Sequence, residues 1–228
     1  KSYLNIQDHS TITAQYTING YLLTLDGNGG TLDGNARKEQ VISFNQSFDQ
    51  TLKDGRNLVS RSGYSFDDWY NSASGGSSYS YSGNQMPAAN VTLFAHWSPN
   101  TYKVTFDPDH VRWDGEATIE EHTFDTRLGI LPMPQIYGWK FTGWWTGKNG
   151  TGTEVTNDSM VEPKDVVYYG RWQPETYQIR FISKAEQPEG ESVQTFTVGL
   201  KYDQEFGNLP VPEENGYTFM GWYDENNK

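Results

Sequence analysis

A mainly β to small α+β fold, built as tandem modules in an elongated array, is what the 228 residues predict, and three observations carry the prediction. An eight-residue pattern of Gly, aromatic, any residue, Phe, any residue, Gly or Asp, Trp and aromatic occurs at Gly63–Tyr70, Gly138–Trp145 and Gly216–Tyr223. The copies are evenly spaced: Tyr64 to Trp139 is 75 residues and Trp139 to Tyr217 is 78, while Trp97 to Trp172 and Tyr102 to Tyr177 are both 75. Between the copies, apolar residues recur with the period of two that marks half-buried strands. A period of this length is one small domain rather than a supersecondary unit.

The order of elements follows from these landmarks. Residues 1–20 read as the closing strand of a preceding repeat, 21–100 as repeat 1, 101–176 as repeat 2 and 177–228 as an incomplete repeat 3. Each repeat opens on a strand: Tyr21–Leu25, Tyr102–Phe106 and Tyr177–Phe181, in which Lys103 and Thr105, or Gln178 and Arg180, take the water-facing phase. A second strand is expected near Val41–Phe44, Ala117–Phe124 and Val193–Val198. The turn-rich segments Gly129–Pro134 and Gly207–Pro212 then predict a covering loop or a short helical turn, with repeat 1 departing at Arg56–Val59, which has no proline.

Within the signature strand, Trp144 lies an odd number of residues beyond Phe141 and would face outward in a regular strand. A bulge at Thr142-Gly143 turns it inward, because glycine accepts the backbone that a bulge requires. Asp68 occupies that position in repeat 1, where an Asp side-chain bond is expected to assist. The insert 72–84 is low in complexity and is expected to be mobile. Closing strands end at Tyr16, Trp97 and Trp172, each five residues before the next opening tyrosine. The joints at Pro99 and Pro174 are expected to act as semi-rigid spacers.

Composition narrows the function classes. Units of about 76 residues sit near the size at which a domain folds alone and need large buried side chains; the chain has Trp 8, Tyr 15 and Phe 11 to supply them. With Cys 0 there is neither disulfide nor thiolate metal site. The net charge of −12 makes nucleic acid and other polyanions poor partners. No apolar run approaches the roughly 20 residues of a membrane helix.

With the opening strand Tyr102–Asp107, the signature Gly138–Trp145, the closing strand Val167–Trp172 and the turn Leu25–Thr31 in place, the chain resembles the Listeria-Bacteroides repeat family, of the internalin B-repeat type. The resemblance covers nearly the whole chain. It implies a β-grasp, ubiquitin-like unit used in tandem on bacterial surfaces. It also implies an extracellular stalk, spacer or adhesive role, without catalysis and without cofactor.

The remaining constellations are weighed on their chemistry. Asp26–Asn35 superficially suggests a calcium loop, but glycine fills too many ligand slots, and a hairpin turn is the better reading. His9, His96, His110 and His122 have no ligand spacing, so no metal site is expected. Glu120-Glu121 and Glu213-Glu214 read as solvated charge rather than as acid and base. Six aromatics fall outside the strict inward phase: Trp113, Trp145, Tyr70, Tyr79, Tyr81 and Tyr223. They are the candidate binding residues, for a host or cell-surface protein or glycan; packing against neighbouring segments is the alternative.

Overall fold

Apolar side chains at every second position of the opening strands need a second surface to bury against, and in repeat 1 the segment that carries Phe48 and Leu52 supplies part of it. The structure, a computed structural model, describes residue 11 and residues 13–224. It is mainly β and divides into two compact units. One holds the chain up to Thr101 with Thr123–Asp125 and Glu162–Lys164; the other holds Tyr102–His122, Thr126–Val161 and the chain from Asp165.

The first unit runs β1 (Gly20–Asp26), β2 (Thr31–Leu32), β3 (Arg37–Ser43), α1 (Asp49–Leu58), β4 (Val59–Ser60), β5 (Tyr64–Tyr70) and β6 (Val91–Pro99). Four strands form a sheet in the order β3-β1-β6-β5, and β2 pairs with β4 in a small ladder of its own. The closing strand β6 runs parallel to β1, from Leu23 opposite Val91 to Asp26 opposite Phe94, and antiparallel to β5. Alternation puts Leu23 and Leu25 on the same buried face as Leu93 and Ala95, where Trp69, Phe48, Leu52 and Met86 complete the core.

α1 is a full helix of 10 residues where the sequence predicts a covering loop or a short helical turn. Its stretch contains no proline, Asp49 in the first turn and Arg56 in the last complement the helix dipole, and Leu52 and Gly55 face the core. From the left-handed residue that ends the second-strand region to the signature glycine, repeat 1 spans 18 residues (Asn45 to Gly63) and repeat 2 spans 13 (Asp125 to Gly138). The longer segment has room for the helix.

Repeat 2 runs β7 (Thr101–Asp107), β8 (Thr118–Thr123), β9 (Trp139–Gly147), a 3-10 turn (Lys148–Gly150), β10 (Thr151–Val155) and β11 (Val166–Pro174). The sheet order is β10-β9-β11-β7-β8, again with opening and closing strands parallel, from Val104 opposite Val166 to Asp107 opposite Tyr169. Val104, Phe106, Leu128, Trp144, Val155, Val161 and Tyr168 form its core. The segment 129–138 carries no helix. Pro132 and Pro134 remove backbone donors there and restrict the residues before them.

Strands β12 (Thr176–Gln187) and β13 (Gly190–Lys201) pair along their whole length as a hairpin. The third signature, Gly216–Tyr223, lies in no strand, and no strand follows it among the described residues. In repeats 1 and 2 the signature strand takes its ladder from the closing strand, so the difference has a local cause.

The bulge is present where the parity of the signature requires it. Gly170 pairs with Trp144 and Trp172 with Phe141, which leaves one residue, Arg171, opposite Thr142 and Gly143. Gly143 has φ +137°, and Trp144 is 2% exposed. In repeat 1 the register breaks between Phe66 and Trp69, and the Asp68 carboxylate accepts the Trp69 backbone N–H at 2.9 Å. Of residues 1–20, residue 11 and residues 13–19 are in no strand, Gly20 opens β1, and residues 1–10 and 12 lie outside the described residues.

Candidate functional site

Each repeat is organised by a signature tryptophan, and the three indoles do the same thing. Trp69 donates from Nε1 to the Leu52 carbonyl at 3.2 Å, Trp144 to the Pro132 carbonyl at 2.8 Å, and Trp222 to the Pro210 carbonyl at 2.7 Å. The acceptor always belongs to the segment that covers the sheet, whether that segment is a helix or a proline-bearing coil. Ring neighbours repeat as well: Trp144 meets Phe106 and Phe141 with centroids 5.1 Å away, and Trp222 meets Phe181 at 5.1 Å and Phe219 at 5.3 Å.

The closing tryptophans fasten the first turn. Trp97 donates to the Gly27 carbonyl at 3.0 Å and Trp172 to the Pro108 carbonyl at 2.8 Å. Those turns are closed by Asp26 accepting the Asn28 N–H and Asp107 accepting the Asp109 N–H. The stretch after Asp26 is therefore a turn: one Asp26 carboxylate oxygen accepts the Asn28 N–H and the other the Arg37 guanidinium at 2.7 Å, while the Gly27 carbonyl accepts the Gly30 N–H. Among the described residues no three His, Cys, Asp or Glu side chains are grouped to hold a metal ion.

Of the six candidate aromatics, Tyr70, Tyr79 and Tyr81 belong to the first unit and Trp113, Trp145 and Tyr223 to the second. Tyr70 stacks on His96 at 3.8 Å and 11°, and His96 is held by the Ser72 carbonyl. Tyr79 lies 6.3 Å from Phe48, and both it and Tyr81 pack against the first core. The Arg56 guanidinium sits over the Tyr81 ring at 5.6 Å; burial first, and Asp68 after it, push that phenol above its ordinary range. Trp145 is half-buried under the Arg171 guanidinium at 5.3 Å. Trp113 lines a cleft of about 180 Å³ with Pro108, Thr118, Pro132, Met133, Pro134 and Trp144. Tyr223 is 62% exposed.

The serine-rich insert is tied down at its far end. The Asp49 carboxylate accepts the backbone N–H of Gly83 and both the backbone and side-chain N–H groups of Asn84, and these bonds hold its pKa below the usual value. Beyond it Met86 is buried in the core and exchanges backbone bonds with Asn45 and Gln46. Of the acid pairs, Glu120 meets His122 at 2.9 Å, and Glu214 accepts from Gln187, Ser192 and Gln194. These are structural roles for carboxylates.

Sequence reasoning missed one recurring feature. An aromatic residue followed by Asn or Asp stands after each second strand: Phe44-Asn45, Phe124-Asp125 and Tyr202-Asp203. The second member has φ of +64°, +64° and +55°. The signal was available as an aromatic residue before a residue type that tolerates the left-handed region.

Modular β units, each with its own aromatic core and a repeated signature, define the class: a tandem-repeat protein. The chain matches the Listeria-Bacteroides repeat domain over residues 21–96, 102–170 and 177–228, and it belongs to that family. It is 29% identical over 179 residues to a protein of Evansella cellulosilytica described as a Gly-rich membrane protein, covering 73% of this chain and 20% of that one. It is 34% identical over 90 residues to internalin H of Listeria monocytogenes, covering 40% of this chain and 16% of that one. A second Evansella cellulosilytica protein, described as a membrane protein, is 24% identical over 215 residues, covering 94% of this chain and 29% of that one. The chain thus spans less than a third of each of these relatives. The relatives that share the repeat are thus an internalin and two proteins described as membrane proteins. Among the described residues no helix is long and apolar enough to cross a membrane.

Proposed function

We propose that the chain is a non-catalytic repeat region of a bacterial cell-surface protein, a spacer that presents or supports an adhesive domain outside the cell. The observation that carries this reading is the duplication of a complete core, Leu23, Leu25, Trp69 and Ala95 in one unit and Val104, Phe106, Trp144 and Tyr168 in the other. Its side chains are spent on making each module stand alone. The sheet order, with parallel opening and closing strands at the centre and a helix crossing in repeat 1, supports treating each module as a β-grasp unit.

A second reading is an adhesin in which aromatics hold a host glycan or protein. The cleft beside Trp113 and the exposed Ile130, Met133 and Tyr137 on the covering segment of repeat 2 favour it. Two measurements separate the readings. A spacer gives an elongated small-angle scattering profile and no binding across a glycan and host-protein panel. Binding that disappears in Trp113→Ala and Trp145→Ala establishes the adhesin instead.

A further inference from the structure

We infer that the signature glycine of each repeat is a docking seat for the aromatic residue that follows the second strand of the next repeat, so that successive copies are joined by a specified side-chain contact as well as by a linker. The same contact is built twice from different residues. In the first unit the Phe124 ring lies against Gly63, so closely that a β-carbon on Gly63 would come within 2.3 Å of it. In the second unit Tyr202 covers Gly138 with the same 2.3 Å clearance. Both glycines are buried and left-handed, at φ +80° and +78°, a conformation that glycine adopts without penalty and that leaves a bare α-carbon facing the ring.

The backbone around each seat repeats too. The Gly63 carbonyl accepts the Asn100 N–H at 2.9 Å and the Asn100 carbonyl accepts the Phe124 N–H at 2.8 Å. In the second copy the Gly138 carbonyl accepts from Glu175 and the Glu175 carbonyl from Tyr202, both at 2.8 Å. The linker residue is thus bonded on both sides. The acidic residue after the ring is then anchored by the preceding repeat: Asp125 accepts the Tyr64 hydroxyl at 2.7 Å, and Asp203 takes a two-pronged bond from Arg112. Edge-on rings flank the contact, Tyr64 to Phe124 at 5.4 Å and Tyr137 to Tyr202 at 5.5 Å.

The two unmatched halves have the form that this assignment requires. Phe44 makes the same backbone bond, to the Asn19 carbonyl at 2.9 Å, but its ring is 48% exposed, whereas Phe124 and Tyr202 are half-buried. Gly216 keeps φ +83° yet is exposed, and among the described residues other than its two chain neighbours nothing lies within 4 Å of where its β-carbon would stand. The occupant that fits Gly216 is the corresponding aromatic of another repeat of this family. Phe44 is a ring of the type such a seat receives. This assignment is independent of whether the array is a spacer or an adhesin.

The chain contains no cysteine, so a pair of spin labels can be placed in the intact 228-residue protein at Asn157→Cys and Thr195→Cys, both exposed, one on each side of the second joint. Pulsed dipolar spectroscopy should give a narrow distance distribution in the parent and at least a doubling of its width in Tyr202→Ala. Gly138→Ala should reproduce the broadening, and Tyr223→Ala should not. Hydrogen exchange at the Tyr202 amide supplies a label-free reading, with protection falling at least tenfold when the ring is removed. If Tyr202→Ala disturbs folding of the hairpin, Tyr202→Leu serves in its place. An unchanged width and unchanged protection in the ring variant would overturn the assignment.

Discussion

Repeats 1 and 2 cover the same buried tryptophan with different structures. Over Trp69 lies α1, with Leu52 inserted into the core; over Trp144 lies a coil punctuated by Pro132 and Pro134, with Leu131 only partly buried. Both indoles nevertheless donate to a carbonyl of the cover. The difference teaches that the fold specifies the tryptophan and its acceptor, while the conformation supplying the acceptor follows from segment length and proline content. A longer, proline-free segment can propagate a helix, whose cost is nucleation. A shorter one with two prolines cannot.

The largest test of that equivalence is removal of the rings themselves. Trp69→Ala and Trp144→Ala should each cost about 3–5 kcal/mol, the usual range for emptying an aromatic site in a core. Urea unfolding followed by site-resolved hydrogen exchange should place each loss in its own unit. A loss spread equally over both units would break the picture of separate cores.

Leucines under the covers should separate the repeats. Leu52→Ala removes a fully buried side chain and should cost about 2–5 kcal/mol; Leu131→Ala, at a half-buried position, should cost less than Leu52→Ala in the same denaturation experiment. Equal losses would mean that the coil of repeat 2 bears as much of its core as the helix does in repeat 1.

Gly55→Ala probes the helix against its packing. Alanine should favour a helix by about 1 kcal/mol over glycine. Here, however, the new β-carbon would stand 2.5 Å from Leu25 Cδ1 and 3.1 Å from the Trp69 ring. Overpacking costs about 1–3 kcal/mol, so a net destabilisation is expected by thermal melting, and a gain would show that α1 can shift off the sheet.

The smallest effects are pH-dependent and differ between the units. In the second unit His110 lies 4.4 Å from Trp139 and 5.5 Å from Trp172, and burial, followed by the charge of Arg112, holds its imidazole below the ordinary value against the opposing pull of Asp203. A pKa depressed on folding contributes stability that is present above the unfolded value, about 6.5, and lost as pH falls through the folded one. Asp49 in the first unit obeys the same sign in a lower window, below its reference value of 3.8. On acidification the second unit should therefore weaken first. His110→Gln should remove that early loss, and Asp49→Asn should remove the later one, read as unit-specific hydrogen exchange against pH.

Much of the module was legible because its signals are periodic. Leu23 and Leu25, Val104 and Phe106, and Leu93 and Ala95 alternate as half-buried strands must, and the parity of Phe141 and Trp144 alone requires a bulge between them. The helix at Asp49–Leu58 was less legible, because Gly55 and the polar residues around Leu52 weaken the local preference and packing on Trp69 decides the matter. The insert 72–84 reads as low complexity, yet its attachment depends on Asp49, more than twenty residues away in sequence and invisible to composition. Outward phase marks the candidate aromatics, but phase does not show that Tyr70 finds His96 or that Tyr79 reaches Phe48. Such partners are set by tertiary structure.

The parallel pairing of opening and closing strands has a mechanical consequence. Because β1 and β6 lie side by side and point the same way, as do β7 and β11, tension applied through the start of one and the end of the other slides them past each other lengthwise. Their evenly spaced, slanted ladder bonds are then loaded together rather than peeled one at a time. Under pulling, each module should resist as a unit and yield in one abrupt step, at a force governed by how fast that central pair shears apart.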